Sequence, residues 1–231
     1  MTRADSGSAR NGGVFFDLDG TLVDTAPDMV AVLTALQNDN GGTPVPYKTA
    51  RASVSNGALG LIRLAFPAVD ESERSRLLQE FLDRYEQAVC IDSALFPGVP
   101  ELLELLESHG RPWGVVTNKP ERMTDPLLRK LGLSERVSCA VSGDTLPQRK
   151  PHPAPLLLAC ERSGVEPDRS VYVGDDARDI MAGRAAGMTT IAAAYGYIVA
   201  EDSPDLWEAD YIAADTNELA KLILKAVRLA S

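Results

Sequence analysis

The sequence predicts an α/β protein: a doubly wound parallel sheet covered by helices on both faces, interrupted near its start by an all-helical insertion. Three observations carry that expectation. Beyond residue 98, short apolar runs alternate with segments of helical period, the pattern of consecutive βαβ units. Between residues 25 and 96 the alternation disappears and only helical periodicity remains. Ahead of both, the apolar run Val14-Phe15-Phe16 ends abruptly in Asp17-Leu18-Asp19-Gly20-Thr21. A division follows: a small, polar, Gly/Ser-rich leader over 1–12, a core built from 13–24 and 97–231, and a helical unit over 25–96.

Val14 to Phe16 reads as the end of a buried strand, since three apolar residues precede a glycine-bearing turn. Pro27 to Asn38 is helical, with Met29, Val30, Leu33 and Leu36 on one side. Leu59, Ile62 and Phe66 mark a second helix, and Leu77, Leu78, Phe81, Leu82 and Tyr85 a third. No strand pattern stands out in this stretch. An insert placed after the first strand would lie above the carboxyl ends of the sheet, where open α/β sheets bind ligands, and is expected to act as a cap. Pro100 to His109 carries Leu102, Leu103, Leu105 and Leu106 at helical spacing and is stopped by Gly110. Trp113 to Thr117 is a short buried strand, Met123 to Leu131 a helix closed by Gly132, and Val137 to Val141 a strand. Pro153 to Ser163 is a helix with proline at its start and Gly164 past its end. Val171 to Val173 and Thr190 to Ala194 are strands flanking a helix from Ala177 to Ala186, and a last helix runs from about Glu218 to Leu229.

Composition excludes several functions. A chain of 231 residues that is 45% hydrophobic and 24% charged has the make-up of an ordinary globular protein and can bury a sizeable core. A net charge of -10 and a pI of about 4.7 argue against nucleic acid or anionic membrane as the main partner. No stretch is apolar enough to span a bilayer, and the leader lacks the apolar segment of a signal peptide. Cys90, Cys139 and Cys160 are odd in number and form no CxxC pair, so they read as reduced core thiols of a cytoplasmic protein. His109 and His152 are too far apart for a metal site. Trp113 reads as core, Trp207 as surface packing, and Glu201, Asp202 and Asp205 as a solvated acidic loop.

Each strand end delivers polar groups to the same sheet edge. The first delivers Asp17 and Asp19, which in extended geometry point to one side. Two carboxylates that close call for a bound cation or for a proton on one partner. The second delivers Thr117, then Asn118 and Lys119. A loop delivers Lys150, followed by Pro151-His152-Pro153, and a later strand delivers Gly174-Asp175-Asp176 and, one helical turn on, Asp179. Taken singly, Thr117 could be a helix cap, Lys150 a solvated loop residue, and Asp175 with Asp179 the complement of a helix dipole.

In this order, the motifs resemble those of the haloacid dehalogenase-like hydrolase superfamily with a helical cap, from Gly13 to Leu229. The resemblance implies a Rossmann-like core and phosphoryl transfer through an aspartyl-phosphate. Asp17 would attack phosphorus, and Asp19 would protonate the leaving oxygen and later activate water. Mg²⁺ would be held by Asp17, Asp175 and the Asp19 backbone carbonyl, with Asp179 rather than Asp176 in support. Thr117 and Lys150 would hold phosphate oxygens, and Asn118 would donate to phosphate or cap the next helix. Asp19 argues against a dehalogenase. The only cap lysine, Lys48, sits in a Pro-rich turn and reads as exposed, which argues against Schiff-base chemistry. A phosphoglucomutase shares the motifs, and a non-catalytic phosphate binder would lack one of the reacting groups.

The resemblance implies a small phosphorylated metabolite as partner, and a monomer or weak homodimer is expected. Thr117 to Pro120 and Lys150 to Pro153 look like phosphatases of 2-phosphoglycolate. Val54 to Ala58, Phe81 to Tyr85, Gly174 to Ile180 and Tyr195 to Ile198 look more like phosphatases of N-acetylmuramic acid 6-phosphate. Both substrates join a phosphate to a carboxylate, so a cap cation is expected: Arg63, with Arg51 behind it. Gly57, with Ala58 and Gly60, would leave room for the sugar.

Overall fold

The computed structural model describes residues 12–199 and 202–229, with side chains to 227. The expected leader over 1–12 falls outside these residues except for Gly12, which is buried against the Arg169 backbone.

A six-stranded parallel sheet has the order β5-β4-β1-β6-β7-β8. Its strands are β1 (Val14–Phe16), β4 (Trp113–Val116), β5 (Ala140–Val141), β6 (Val171–Gly174), β7 (Thr189–Ala193) and β8 (Tyr211–Ala213). Central β1 pairs with both β4 and β6, aligning Phe16 with Val115 and Val173. The chain leaves β1 toward β4 and β5, then returns to build β6 to β8 on the other side. Such a reversal opens a crevice at the carboxyl ends of the strands, and β1 stands beside it.

Alternation along the strands divides the core. Val14 and Phe16 face α5 (Val99–Ser108), α6 (Glu121–Lys130) and α9 (Thr216–Leu229), packing with Leu103, Leu127 and Ile223. Phe15 and Tyr172 face α7 (Ala154–Ser163) and α8 (Ala177–Ala185), packing with Leu156, Cys160 and Ala182. A sheet covered on both faces demands apolar runs rather than strict alternation, which is what β1, β4 and β6 carry.

Residues 25–93 form a helical insert of α1 (Ala26–Asp39), α2 (Tyr47–Ala52), α3 (Gly57–Ala65) and α4 (Glu71–Ala88). Leu33, Leu36, Leu61, Ile62, Leu77, Phe81 and Tyr85 are buried in it. Its entry and exit run antiparallel as β2 (Val23–Asp24) and β3 (Ala94–Leu95), two-residue strands that leave no sequence pattern. Buried Asp28 ties the crossings together by accepting from the backbone N–H groups of Ile91, Asp92 and Ser93.

Several local expectations need correction. Lys48 is exposed as expected, yet lies on α2 rather than in a turn. β5 covers only Ala140–Val141 of the expected Val137 to Val141, and β8 was not foreseen. Trp207 is buried against Ile180 and Ala192, and its indole N–H donates to Asp202, so that carboxylate is half-buried and engaged. Cys139 and Cys160 are buried free thiols as expected, but Cys90 is only half-buried.

Candidate active site

The first strand delivers its carboxylates with the ladder still intact, because the Asp17 N–H donates to Val173 O at 2.8 Å. The chain then turns sharply at Gly20, whose φ of +85° suits glycine and whose missing Cβ would stand 2.1 Å from Asp175 Oδ2. No side chain fits there, so the turn and Asp175 can approach only across a glycine.

Asp17 and Asp19 both line one cavity, but the turn separates their partners. Asp17 Oδ1 lies 2.8 Å from Lys150 Nζ. Asp19 Oδ1 accepts from Lys119 Nζ at 2.9 Å and from Thr25 Oγ1 at 2.6 Å. The electrostatic crowding expected between these two carboxylates occurs instead among Asp17, Asp175 and Asp179, whose oxygens lie within 4.8 Å of one another. The Asp19 carboxylate is not in that group, so any contact it makes with an ion falls to its main-chain carbonyl.

One buried ammonium serves two of the three, Asp17 and Asp179. Lys150 Nζ sits 2.6 Å from Asp179 Oδ1 and donates to the Tyr172 hydroxyl at 2.9 Å. The hydroxyl passes its own hydrogen to Val116 O. Burial alone would lower the Lys150 pKa, but Asp17 and Asp179 outweigh it and hold the ammonium above its usual value. Burial, then the charges of Asp17 and Asp179, push the Asp175 carboxyl well above the carboxylate range. Burial also raises Asp179, against the pull of Lys150. Asp175 Oδ1 accepts from Thr21 Oγ1, and its Oδ2 accepts from Tyr197 N–H and from Ser55 Oγ of the insert.

The donor set fits a hard divalent cation. Three carboxylates crowd together while the one ammonium among them, Lys150, meets only Asp17 and Asp179; Asp17 Oδ1 and Asp179 Oδ2 are buried without a hydrogen bond, the Lys150–Asp17 contact being close but poorly aimed. Asp176 is occupied elsewhere, capping α8 through the Arg178 N–H and pairing with the Arg178 guanidinium. That pairing outweighs burial and lowers the Asp176 pKa.

Thr117 follows β4 and is buried at the cavity wall. Asn118 does not cap α6, whose N-cap is Pro120. Its amide instead clamps the Lys150 backbone, donating to the carbonyl and accepting from the N–H, each at 3.1 Å. Gly57, with φ of +68°, lines the cavity at the start of α3. Arg63 is exposed and does not line it. Arg51 pairs with Asp24 at 3.5 Å and lies over the Tyr197 ring, also away from the cavity. The expected cap arginines therefore do not reach the site.

Sequence reasoning gave no role to several residues now at the centre. Lys119 Nζ, buried, joins Asp19 to the Tyr85 hydroxyl of α4 at 2.9 Å. Burial alone would depress its pKa, yet Asp19 and Tyr85 raise it. Arg178 reaches from α8 to donate to the Ser55 carbonyl of the insert at 2.6 Å. Arg149 lines the cavity beside Lys150. Lys119 and Arg149 were visible as neighbours of the motif residues, whereas nothing in the sequence announces Tyr85 or Ser55 as facing the sheet edge.

The cavity between the sheet edge and the insert has a volume of about 320 Å³. Its outer wall is apolar, built by Met29, Val54, Leu59, Phe81, Leu82 and Met123.

Residues 14–193 match the haloacid dehalogenase-like hydrolase family. The chain is 45% identical over 215 residues to an N-acetylmuramic acid 6-phosphate phosphatase of Pseudomonas aeruginosa, covering 93% of this chain and 95% of that protein. It is equally 45% identical over 206 residues to a phosphoglycolate phosphatase of Xanthomonas campestris, covering 89% and 93%. Its fold superposes on that of a predicted phosphoglycolate phosphatase from Haemophilus somnus with a TM-score of 0.82 at 29% identity, over 94% of this chain and 99% of the other.

Proposed function

This chain belongs to the haloacid dehalogenase-like hydrolase family and is a phosphatase, a phosphoric monoester hydrolase; on that premise we propose that it hydrolyses N-acetylmuramic acid 6-phosphate through an aspartyl-phosphate on Asp17. The observation that carries the substrate is the apolar chamber contiguous with Asp17 and Lys150. Glycolate offers such a wall a single methylene. The muramyl substrate offers a pyranose, an acetamido methyl and a lactyl methyl, so its burial releases far more water from apolar surface.

In the first step a carboxylate oxygen of Asp17 attacks phosphorus, the bond from phosphorus to the sugar oxygen breaks, and the departing oxygen takes a proton from Asp19. In the second, Asp19 takes a proton from water, the hydroxide attacks phosphorus, and phosphate leaves with the Asp17 carboxylate restored. Lys119 and Thr25 both hold Asp19 Oδ1, which orients the carboxyl and leaves Oδ2 for the proton transfers. Lys150 and the Thr117 hydroxyl would hold the phosphoryl oxygens as charge redistributes. Asn118 would act on substrate by fixing the Lys150 backbone. Asp17, Asp175, Asp179 and the Asp19 carbonyl would hold Mg²⁺, which when bound supplies charge neutralisation for the phosphoryl group. The insert over 25–96 would serve as a cap, with Gly57 and Ser55 at its inner edge. The protein would work in the cytoplasm as a monomer or weak homodimer, with Cys90, Cys139 and Cys160 kept reduced.

A second reading, 2-phosphoglycolate as substrate, is supported by the equal identity to the Xanthomonas enzyme. The test is kcat/KM for N-acetylmuramic acid 6-phosphate, 2-phosphoglycolate, a hexose phosphate and phosphoserine. The muramyl compound should lead by at least about tenfold, a difference of ~1.4 kcal/mol. A lead for 2-phosphoglycolate would replace this reading, and a flat profile would end both.

A further inference from the structure

We propose that Arg149 is the specificity residue that reads the carboxylate of the substrate; this rests on the carboxylate-bearing substrate proposed above. The argument is one of elimination within the cavity wall. Four cationic side chains line it: Lys119, Arg149, Lys150 and Arg178. Lys119 is committed to Asp19 and Tyr85, Lys150 to Asp17 and Asp179, and Arg178 to Asp176 and the Ser55 carbonyl. Lys119 and Arg178 each balance a lining carboxylate, and Lys150, between Asp17 and Asp179, is the cation that meets the phosphate, so none of the three is open to the far carboxylate of the substrate. Arg149 alone makes no side-chain hydrogen bond or ion pair among the described residues.

Its position suits the task. Lys150 is buried at the cavity floor, while Arg149, one residue before it, is exposed at the mouth. A substrate whose phosphate is seated at Asp17 and Lys150 would direct its far end toward that mouth. The arginines expected from sequence are elsewhere: Arg63 lies off the cavity and Arg51 is paired with Asp24. A guanidinium can meet a carboxylate through two parallel N–H donors, which gives direction as well as charge. The clamp of Asn118 on the Lys150 backbone fixes the loop that carries both cations.

The test compares N-acetylmuramic acid 6-phosphate with N-acetylglucosamine 6-phosphate, which lacks the lactyl ether and its carboxylate. Wild-type enzyme should favour the former in kcat/KM by about ten- to a hundredfold, the range for a hydrogen-bonded charge. Arg149→Ala should bring the ratio within about threefold of one, and Arg149→Lys should leave it intermediate, because charge persists without the fork. A large wild-type ratio that survives in R149A, including one in which both rates fall in parallel, overturns the role of Arg149 and leaves the substrate standing. A wild-type ratio near one overturns the carboxylate substrate itself, and Arg149 with it.

Discussion

Replacing Asp179 with Asn separates what this carboxylate does for the fold from what it does for an ion. Asp179 Oδ1 lies 2.6 Å from Lys150 Nζ, an attraction of ~6 kcal/mol at an effective dielectric of about 20. The same side chain lies within 4.8 Å of ligand oxygens on Asp17 and Asp175, and each repulsion is worth ~3 kcal/mol or more on that scale. The two repulsions together match the attraction. The amide of D179N keeps the shape and an acceptor for Lys150. At about pH 9, above the raised carboxyls of Asp175 and Asp179, where the balance of full charges applies, the variant without Mg²⁺ should therefore melt within about 3 °C of wild type. In wild type, Mg²⁺ at a hundred times its Kd adds ~2.7 kcal/mol, or about 5–10 °C for a chain of this length. Losing a ligand carboxylate should weaken the ion at least as much as the 10–100-fold typical of losing a supporting group. About 1–5 °C of the shift would then remain. Thermal melting of chelator-treated protein, with and without Mg²⁺, reads both numbers. A variant that melts more than about 6 °C below wild type without Mg²⁺, or that keeps the full Mg²⁺ shift, would refute the balance of charges.

Asp17→Asn should abolish turnover while the fold persists; circular dichroism checks the fold, and more than about a hundredth of the wild-type rate would contradict a nucleophile. Gly20→Ala forces a Cβ into Asp175 at a left-handed φ, so activity should fall at least about a hundredfold and Tm should drop by several degrees. Raised carboxyls at Asp175 and Asp179 mean that the metal-free fold binds protons the unfolded chain has released. Stability contributed by these two groups should therefore fall as pH rises from ~4 through neutrality. Mg²⁺ should bind with proton release and more tightly at higher pH. Calorimetry in buffers of different ionisation enthalpy reads the protons, and zero release would contradict the shifts.

The sheet and most of its chemistry were legible because Asp17, Thr117 and Asp175 each lie at the end of a strand that must be apolar on both faces, Lys150 alone coming from a loop. Asp17, Thr117 and Asp175 could thus be placed on one edge from chain order alone. The two-residue crossings β2 and β3 carry no periodicity, and β8 is too short to show one. Partner choice was the harder matter. A one-dimensional reading pairs Asp17 with Asp19, yet Gly20 and Thr25 turn the second carboxylate toward Lys119. Arg63 was expected at the site from its place after Gly57, but it lies on the outer face of a helix whose inner face holds Leu61 and Ile62.

The helical insert joins the core at two neighbouring crossings, Val23–Asp24 and Ala94–Leu95, cinched by Asp28. Because its ends meet, the segment between them is a cassette that inheritance can revise without rethreading the sheet. Lys150 and the trio of Asp17, Asp175 and Asp179 all lie outside it, whereas Met29, Val54, Leu59, Phe81 and Leu82 of the apolar wall lie within it, so revising the cassette would remake that wall and leave the acidic cluster and its lysine in place.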